Sequence, residues 1–213
     1  WEHRLGGKAA AQPYIRARLA GWPERLVIDP SELPADDRAF LERLARDTWR
    51  GLTALSDREH GLPFDTVRLN GSIEPARAWL GDYTNVTNIG LYVLDIVAAR
   101  ELGLIDAKEA QTRLSGVLDT LERLETYRGF FYNYYDTTTL ERTSHFVSFV
   151  DSAWLTAGLM VARNAVPELA GRCSRLIDRE DYRFFYDPVE QLMMHGYYVN
   201  LPQRSEYSYG LLY

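Results

Sequence analysis

Hydrophobic positions fall at helical spacing in five stretches of the chain, separated by segments rich in Gly, Pro and Thr. In the first, from Asp37 to about Ser56, Phe40, Leu41, Leu44, Thr48, Trp49, Leu52 and Leu55 recur every three or four residues, and Asp36 after Pro34 supplies an N-cap. A second helix is predicted from about Thr87 to Leu102, closed by Gly103 in the left-handed position that ends many helices. Asp106 and Glu109 form a capping box that opens a third, predicted to run through Tyr127 with Leu114, Val117, Leu118, Leu121 and Leu124 on its core face. Gly103 to Asp106 leaves room only for a tight turn, so residues 87–127 are predicted to be an antiparallel helical hairpin. Ser148 and Asp151 repeat the capping pattern with Asp in place of Glu and open a fourth helix to about Ala165. Pro167 restarts a fifth to about Arg179, which makes a second hairpin.

Between these stretches the pattern changes. Residues 1–36, interrupted by Pro13, Pro23, Pro30 and Pro34, are expected to be an irregular leader wrapping the body. Residues 57–86 carry Gly61, Pro63, Gly71, Pro75 and Gly81 without a sustained period, a long connection of the kind that usually has a functional job. Residues 129–147 and 184–200 are expected to be short β-excursions, and Tyr207 onward the start of a helix that stops at Tyr213. The expected class is all-α with short β-hairpin inserts, arranged as a leader over 1–36 and one domain over 37–213 that is incomplete at its C-terminal end. Helix pairs of this kind stack as a solenoid or close into an α/α toroid.

Composition narrows the function classes. The 213 residues carry 24 Lys and Arg against 30 Asp and Glu, a net charge of −6. That balance argues against a nucleic-acid binder, whose affinity comes from cations on phosphates. No apolar run approaches the length of a membrane span, so none is expected within this chain. The first 20 residues lack the apolar core of a signal peptide, so that one was removed or none existed; localisation is left open, with the cell envelope favoured over the free cytoplasm. The single Cys173 leaves the redox compartment open and reads as a bystander thiol. His3, His60, His145 and His195 are scattered, so no metal and no cofactor is expected. Phosphate-binding glycine loops and the α/β-hydrolase elbow are both missing.

The densest chemical signal is YRGFFYNYYD, residues 127–136, with six aromatics in ten residues beside Asn133 and Asp136. Strand alternation would put Phe131, Asn133 and Tyr135 on one face and Tyr132, Tyr134 and Asp136 on the other. A wall of aromatic rings with amide and carboxylate partners suits the C–H faces and hydroxyls of a sugar. The same residues equally suit a core beneath a hairpin, with Asp136 closing an Asx turn on Thr137, Thr138 and Thr139. Asp151 is either a first-turn acid that stabilises its helix or a carboxylate facing a cavity. Trp154 lies one turn further on. At Gly81 to Gly90, Tyr83, Thr87 and Asn88 enter a helix where capping explains part of the pattern. Glu141 and Glu206 are reserve carboxylates.

The stretches YTNVTNIGLYVLDIVAARELGLI, RGFFYNYYDTTTLE, VSFVDSAWLTAGL, DYRFFYDP and EYSYGLLY resemble, in order and spacing, the glucoamylase-like domain of cyclic β-1,2-glucan synthases and of stand-alone bacterial proteins. The resemblance covers about residues 37–213. It implies an (α/α)6 toroid, of which this chain holds the N-terminal part, and hydrolysis or transglycosylation of a glucan, most of all a β-1,2-linked one. It also implies that the segments at Thr87 to Gly90, Tyr132 to Asp136 and Ser148 to Asp151 face the cavity. Two motifs depart from the family: Tyr134 stands in place of Trp, and Ala153 and Trp154 in place of Gly and Asn. The family continues beyond YGLLY with a Glu-containing segment, so the chain is expected to be part of a longer polypeptide.

Glycoside cleavage needs one carboxylic acid at the leaving oxygen and a second carboxylate as nucleophile or base. Asp136 and Asp151 are the candidates for this pair. Tyr83, Thr87, Asn88, Tyr132, Asn133, Tyr135, Trp154 and Glu206 are the candidate substrate contacts, and a glucan polysaccharide or oligosaccharide is the expected partner. The alternatives are a non-catalytic glycan-binding or scaffolding helical domain, and a helical interaction domain whose aromatics are all core.

Overall fold

The computed structural model describes residues 11–22, 28–69, 71 and 74–210. Its helices are α1 (11–18), α2 (Asp37–Ala54), α3 (Val86–Glu101), α4 (Ala107–Leu121), α5 (Phe149–Ala165) and α6 (Ala170–Ile177). Short strands fill the connections: β1 (Thr66–Arg68), β2 (Trp79–Gly81), β3 (Tyr83–Asn85), β4 (Thr126–Tyr127), β5 (Phe130–Phe131), β6 (Tyr134–Asp136), β7 (Phe146–Ser148), β8 (Tyr186–Asp187), β9 (Leu192–Met193), β10 (Gly196–Tyr198) and β11 (Gln203–Arg204). The molecule is mainly helical with small antiparallel pairs, as expected.

The predicted caps form. Asp36 accepts the Ala39 amide, Asp106 the Glu109 amide at 2.7 Å and Ser148 the Asp151 amide at 3.3 Å. Each satisfies one of the N–H groups that a helix start leaves without a partner. Gly103, with φ +69°, ends α3 and turns the chain into α4.

The two hairpins α3–α4 and α5–α6 lie against each other in two layers. In one layer α3 and α5 run parallel. Thr87 meets Asp151 at their N-terminal ends, Gly90 meets Leu155 further along, and Arg100 reaches the carbonyl of Ala165 at their C-terminal ends. A methyl group added at Gly90 would lie 2.5 Å from the Trp154 carbonyl oxygen, and one at Gly158 would collide with the Gly90 carbonyl. The two backbones therefore touch, and only glycine fits at both positions. In the other layer Arg172 of α6 pairs with Asp119 of α4 at 2.6 Å and with Glu122 at 2.8 Å. Between the layers Ile89, Ile96, Leu114, Leu118, Leu155 and Leu159 form the main core with Phe130, Phe131 and Phe185.

The strands feed the helix starts. β3 leads directly into α3 and pairs with β6, in the register Tyr83 to Asp136, Thr84 to Tyr135 and Asn85 to Tyr134. β7 leads into α5 and pairs with β10, which pairs in turn with β11. Both sheets thus sit at the end where α3 and α5 begin.

Several expectations are corrected. The third helix stops at Leu121 rather than Tyr127, because Thr126 and Tyr127 turn back as β4 on β5 through Arg128 and Gly129, both with positive φ. Residues 207–210 are not helical: Ser208 bridges Met194, and the Tyr209 ring lies 4.2 Å from that of His195. Within the expected irregular leader, residues 11–18 are helical because Ile15 and Leu19 have a small core of their own with Phe64 and Leu80. Arg18 fixes α1 to the 57–69 connection through a two-pronged, buried ion pair with Asp57, at 2.6 and 2.9 Å. The predicted face of α2 is largely unburied: Leu41 and Leu44 are 60% and 51% exposed, and only Trp49 is buried.

Candidate active site

The N-terminal ends of α3 and α5 bring together residues from four separate segments. Asn85 caps α3 by accepting the Thr87 amide at 2.7 Å, and its own amide donates to Asn133 at 2.9 Å. Two residues on, the Thr87 hydroxyl donates to Asp151 of α5 at 2.6 Å. Asn88 donates to Asp65 at 2.9 Å. Consecutive side chains on the first turn of α3 therefore each hold a carboxylate, one from α5 and one from the 57–69 connection.

Tyr134 is within electrostatic reach of both acids. Its phenol pKa is raised, first by burial and then by the charges of Asp65 and Asp151, with partial relief from the Asn85 side chain. Its ring meets that of Tyr83 edge-on at 6.0 Å. Neither Asp65 nor Asp151 forms an ion pair with a cation among the described residues; neutral donors hold both. A half-buried pair of carboxylates held this way suits a ligand that offers hydroxyl donors and no charge.

The other expected contacts divide. Tyr83, Thr87, Asn88 and Asn133 are part of this cluster. Trp154 is 46% exposed one turn beyond Asp151, its ring available to a ligand. Tyr135 is placed in the core with no exposure; its hydroxyl donates to the Glu125 carbonyl and accepts the Tyr132 amide. Tyr132 is 3% exposed beneath the Arg142 guanidinium. The alternation expected over 127–136 breaks at the bend of Tyr132 and Asn133, which separates β5 from β6. Tyr134 and Asp136 then share the open face while Tyr132 and Tyr135 are both buried.

Asp136 sits opposite Tyr83 at the far end of β6, and its Oδ1 accepts the amides of Thr138 and Thr139, closing the Asx turn that the threonines allow. Glu141 and Glu206 are exposed outside the cluster. Burial raises the carboxyl pKa of Glu180 to about 7, although it accepts the Thr156 hydroxyl at 2.5 Å and lies near Tyr182. Thr156 is five residues after Asp151, about 140° around α5 at 100° per residue, so Glu180 serves a different face.

Sequence reasoning passed over Asp65. It stands in the connection without a period, and its partner Asn88 is 23 residues away. The only available signal was the unusual length of that connection. Among the described residues no group of three or more His, Cys, Asp or Glu could hold a metal ion, and no helix is long and apolar enough to cross a membrane.

Comparison with known proteins agrees with the motif pattern. The cyclic β-(1,2)-glucan synthase NdvB of Rhizobium meliloti (strain 1021) is 35% identical over 132 residues, which is 61% of this chain and 4% of that protein. A provisionally named glucoamylase from Bacteroides fragilis NCTC 9343 superposes with a TM-score of 0.66 at 17% identity, over 80% of this chain and 42% of that one. The endo-β-1,2-glucanase of Chitinophaga pinensis, solved with sophorotriose and glucose, superposes with a TM-score of 0.65 at 13% identity, over 79% and 42%. This chain thus spans less than half of either solved structure and a small fraction of the synthase. The resemblance read from the motifs is borne out, and the likeness to the solved structures is one of fold. Residues 43–194 match the family described as Protein of unknown function (DUF3131), and the chain belongs to that family.

Proposed function

We propose that this chain contributes the first helical pairs of an α/α toroid, and that the protein is a glycoside hydrolase or transglycosylase acting on a glucan, β-1,2-linked above all. The observation that carries the reading is the placement of Asp151. It stands at the start of α5, fixed by Thr87 across the seam with α3, beside Tyr134 and without a paired cation among the described residues. Glycosidic oxygen needs a carboxyl group held in one orientation, and a hydrogen bond from a neighbouring helix supplies that. Trp154, exposed one turn away, offers a flat ring to a sugar's C–H face. The names of the synthase and of the glucanase support β-1,2-linked glucan as the substrate. Asp151 is the reacting carboxylate in this proposal, and Asp136 is a turn-former.

The test is product analysis of the full-length natural protein on linear β-1,2-glucan, with β-1,3-, β-1,4- and α-1,4-glucans as controls. Oligosaccharides or cyclic products from the β-1,2 substrate are the expected result. Asp151→Asn keeps an acceptor for Thr87 and should lower turnover by at least about 100-fold with little change in melting temperature. Full activity in that variant would remove Asp151 from the reaction. Glucan binding without any product would favour the non-catalytic glycan-binding domain.

A further inference from the structure

We infer that Asp65 is a second substrate-contacting carboxylate of this site, one that accepts hydroxyl groups of the glucosyl residue lying against Tyr83 and Tyr134. The inference rests on the glucan-directed reading above and goes beyond it by naming a residue and its role. Three observations support it.

First, the acid is held in one orientation by a chain of side chains. Thr66 pairs in register with Gly81, which has no side chain to fill the space between the strands. The Tyr83 ring occupies that space, so that a Cβ at Gly81 would fall 2.7 Å from its edge. From there the Tyr83 hydroxyl donates to Thr66 at 3.2 Å, and Thr66 donates to Asp65 Oδ2 at 2.9 Å. Asn88 donates to Oδ1 from the other side. A carboxylate whose two oxygens are each fixed by a neutral donor cannot rotate to follow solvent.

Second, the charge is left uncompensated. A carboxylate has about four acceptor positions, and the side-chain donors to Asp65 fill two of them. Among the described residues no Lys, Arg or His pairs with it. The remaining acceptor positions of this partly exposed carboxylate are open to hydroxyl donors. Neighbouring hydroxyls of a pyranose are donors that match two adjacent oxygens.

Third, Asp65 and Asp151 act on the same ring. The adjacent residues Thr87 and Asn88 on the first turn of α3 hold one acid each, and the charges of both act on the Tyr134 phenol. A sugar lying on Tyr134 would be within reach of both Asp151 and Asp65. Asp65 then holds the ring while the bond at Asp151 is cleaved, which makes it a specificity-determining contact for the hydroxyl pattern of that residue.

The experiment measures the affinity of the full-length protein for linear β-1,2-glucotriose and for its monodeoxy analogues, by calorimetry, in the natural protein and in Asp65→Asn. Loss of a hydrogen bond to a charged group should weaken triose binding about 10- to 100-fold. One deoxy analogue that binds the natural protein weakly should bind the variant no worse than the triose does. A structural role alone would weaken the triose and every analogue by the same factor, and that result would overturn the inference. If Asp65→Asn lowers the melting temperature, Asp65→Ser, which keeps an oxygen for Asn88, carries the same comparison. Triose binding that is unchanged in the variants overturns the role of Asp65 and leaves the glucan reading intact. A natural protein that binds no β-1,2-glucan overturns both.

Discussion

Helices α2 and α3 both carry long apolar stripes, yet they use them in opposite ways. α3 buries Val86, Ile89, Tyr92, Val93, Ile96 and Val97 and lays its backbone directly on α5 at Gly90 and Gly158. α2 buries Trp49, which stacks on Tyr92 with ring centres 6.4 Å apart, and leaves Leu41 and Leu44 largely in solvent. Apolar periodicity therefore defines a helix in both cases but does not say how closely it packs. The approach is set by the small residues. Where they allow contact, two helix starts come close enough for Thr87 to reach Asp151, and the candidate site is built where two helix backbones touch.

Breaking the seam should have the largest effect. Gly158→Ala places a methyl group into the Gly90 carbonyl and should destabilise the protein by at least about 3 kcal/mol, or prevent folding, measured by urea unfolding. A variant of unchanged stability would show that the helices separate easily and that the contact is incidental.

Glu180 gives the next effect, on the far face of α5. Its folded-state pKa is raised from 4.5 to about 7 by burial, and its Oε1 is buried with no hydrogen-bond partner. Between pH 4.5 and 7 the folded state therefore binds more protons than the unfolded state, and stability falls as pH rises through that window. The full cost is on the order of 3 kcal/mol at about 1.4 kcal/mol per unit. Glu180→Gln should be more stable than the natural protein at pH 8, by about 1–3 kcal/mol, and should lose the pH dependence between 5 and 7. Melting curves at pH 5 and pH 8 decide it, and parallel behaviour of the two proteins would place the titrating group elsewhere.

The smallest effect sharpens the other side of the comparison. Leu44→Ser on the exposed stripe of α2 should change stability by less than about 0.5 kcal/mol, whereas Trp49→Ala on the same helix should cost about 3 kcal/mol. Equal losses in the two variants would mean that the stripe is covered in solution.

What could be read from the sequence follows the range of the interactions. The caps at Asp36, Asp106 and Ser148, the turn at Gly103 and the α3–α4 hairpin are set by residues within one or two turns of each other, and all form as predicted. The end of α4 was misplaced because Leu124 continues the apolar period after the helix has ended, and is buried anyway. Thr87, Asn88 and Asp151 were recognised as polar residues at helix entries and Asn133 as an amide within the aromatic stretch, while the contacts between them join distant segments. Tyr132 departs from the expected face because strand alternation assumes an unbroken strand, and the bend at Asn133 resets it. Asp65 left no local trace: its role depends on Asn88, and on Tyr83 acting through the adjacent Thr66, both of which only the tertiary structure brings near.

The parallel direction of α3 and α5 has a kinetic consequence. Antiparallel neighbours such as α3 and α4 can zip from a tight turn, whereas two parallel helices meet only after the chain has travelled back between them. Thr87 and Asp151 are 64 positions apart, so closing that contact carries the entropy of a long loop. During synthesis the α3–α4 hairpin is complete while residues 149–165 are still being added, and the site comes into existence in a single late docking event. Amide hydrogen exchange started at successive refolding times should protect α4 first, with the beginnings of α3 and α5 gaining protection together at the end.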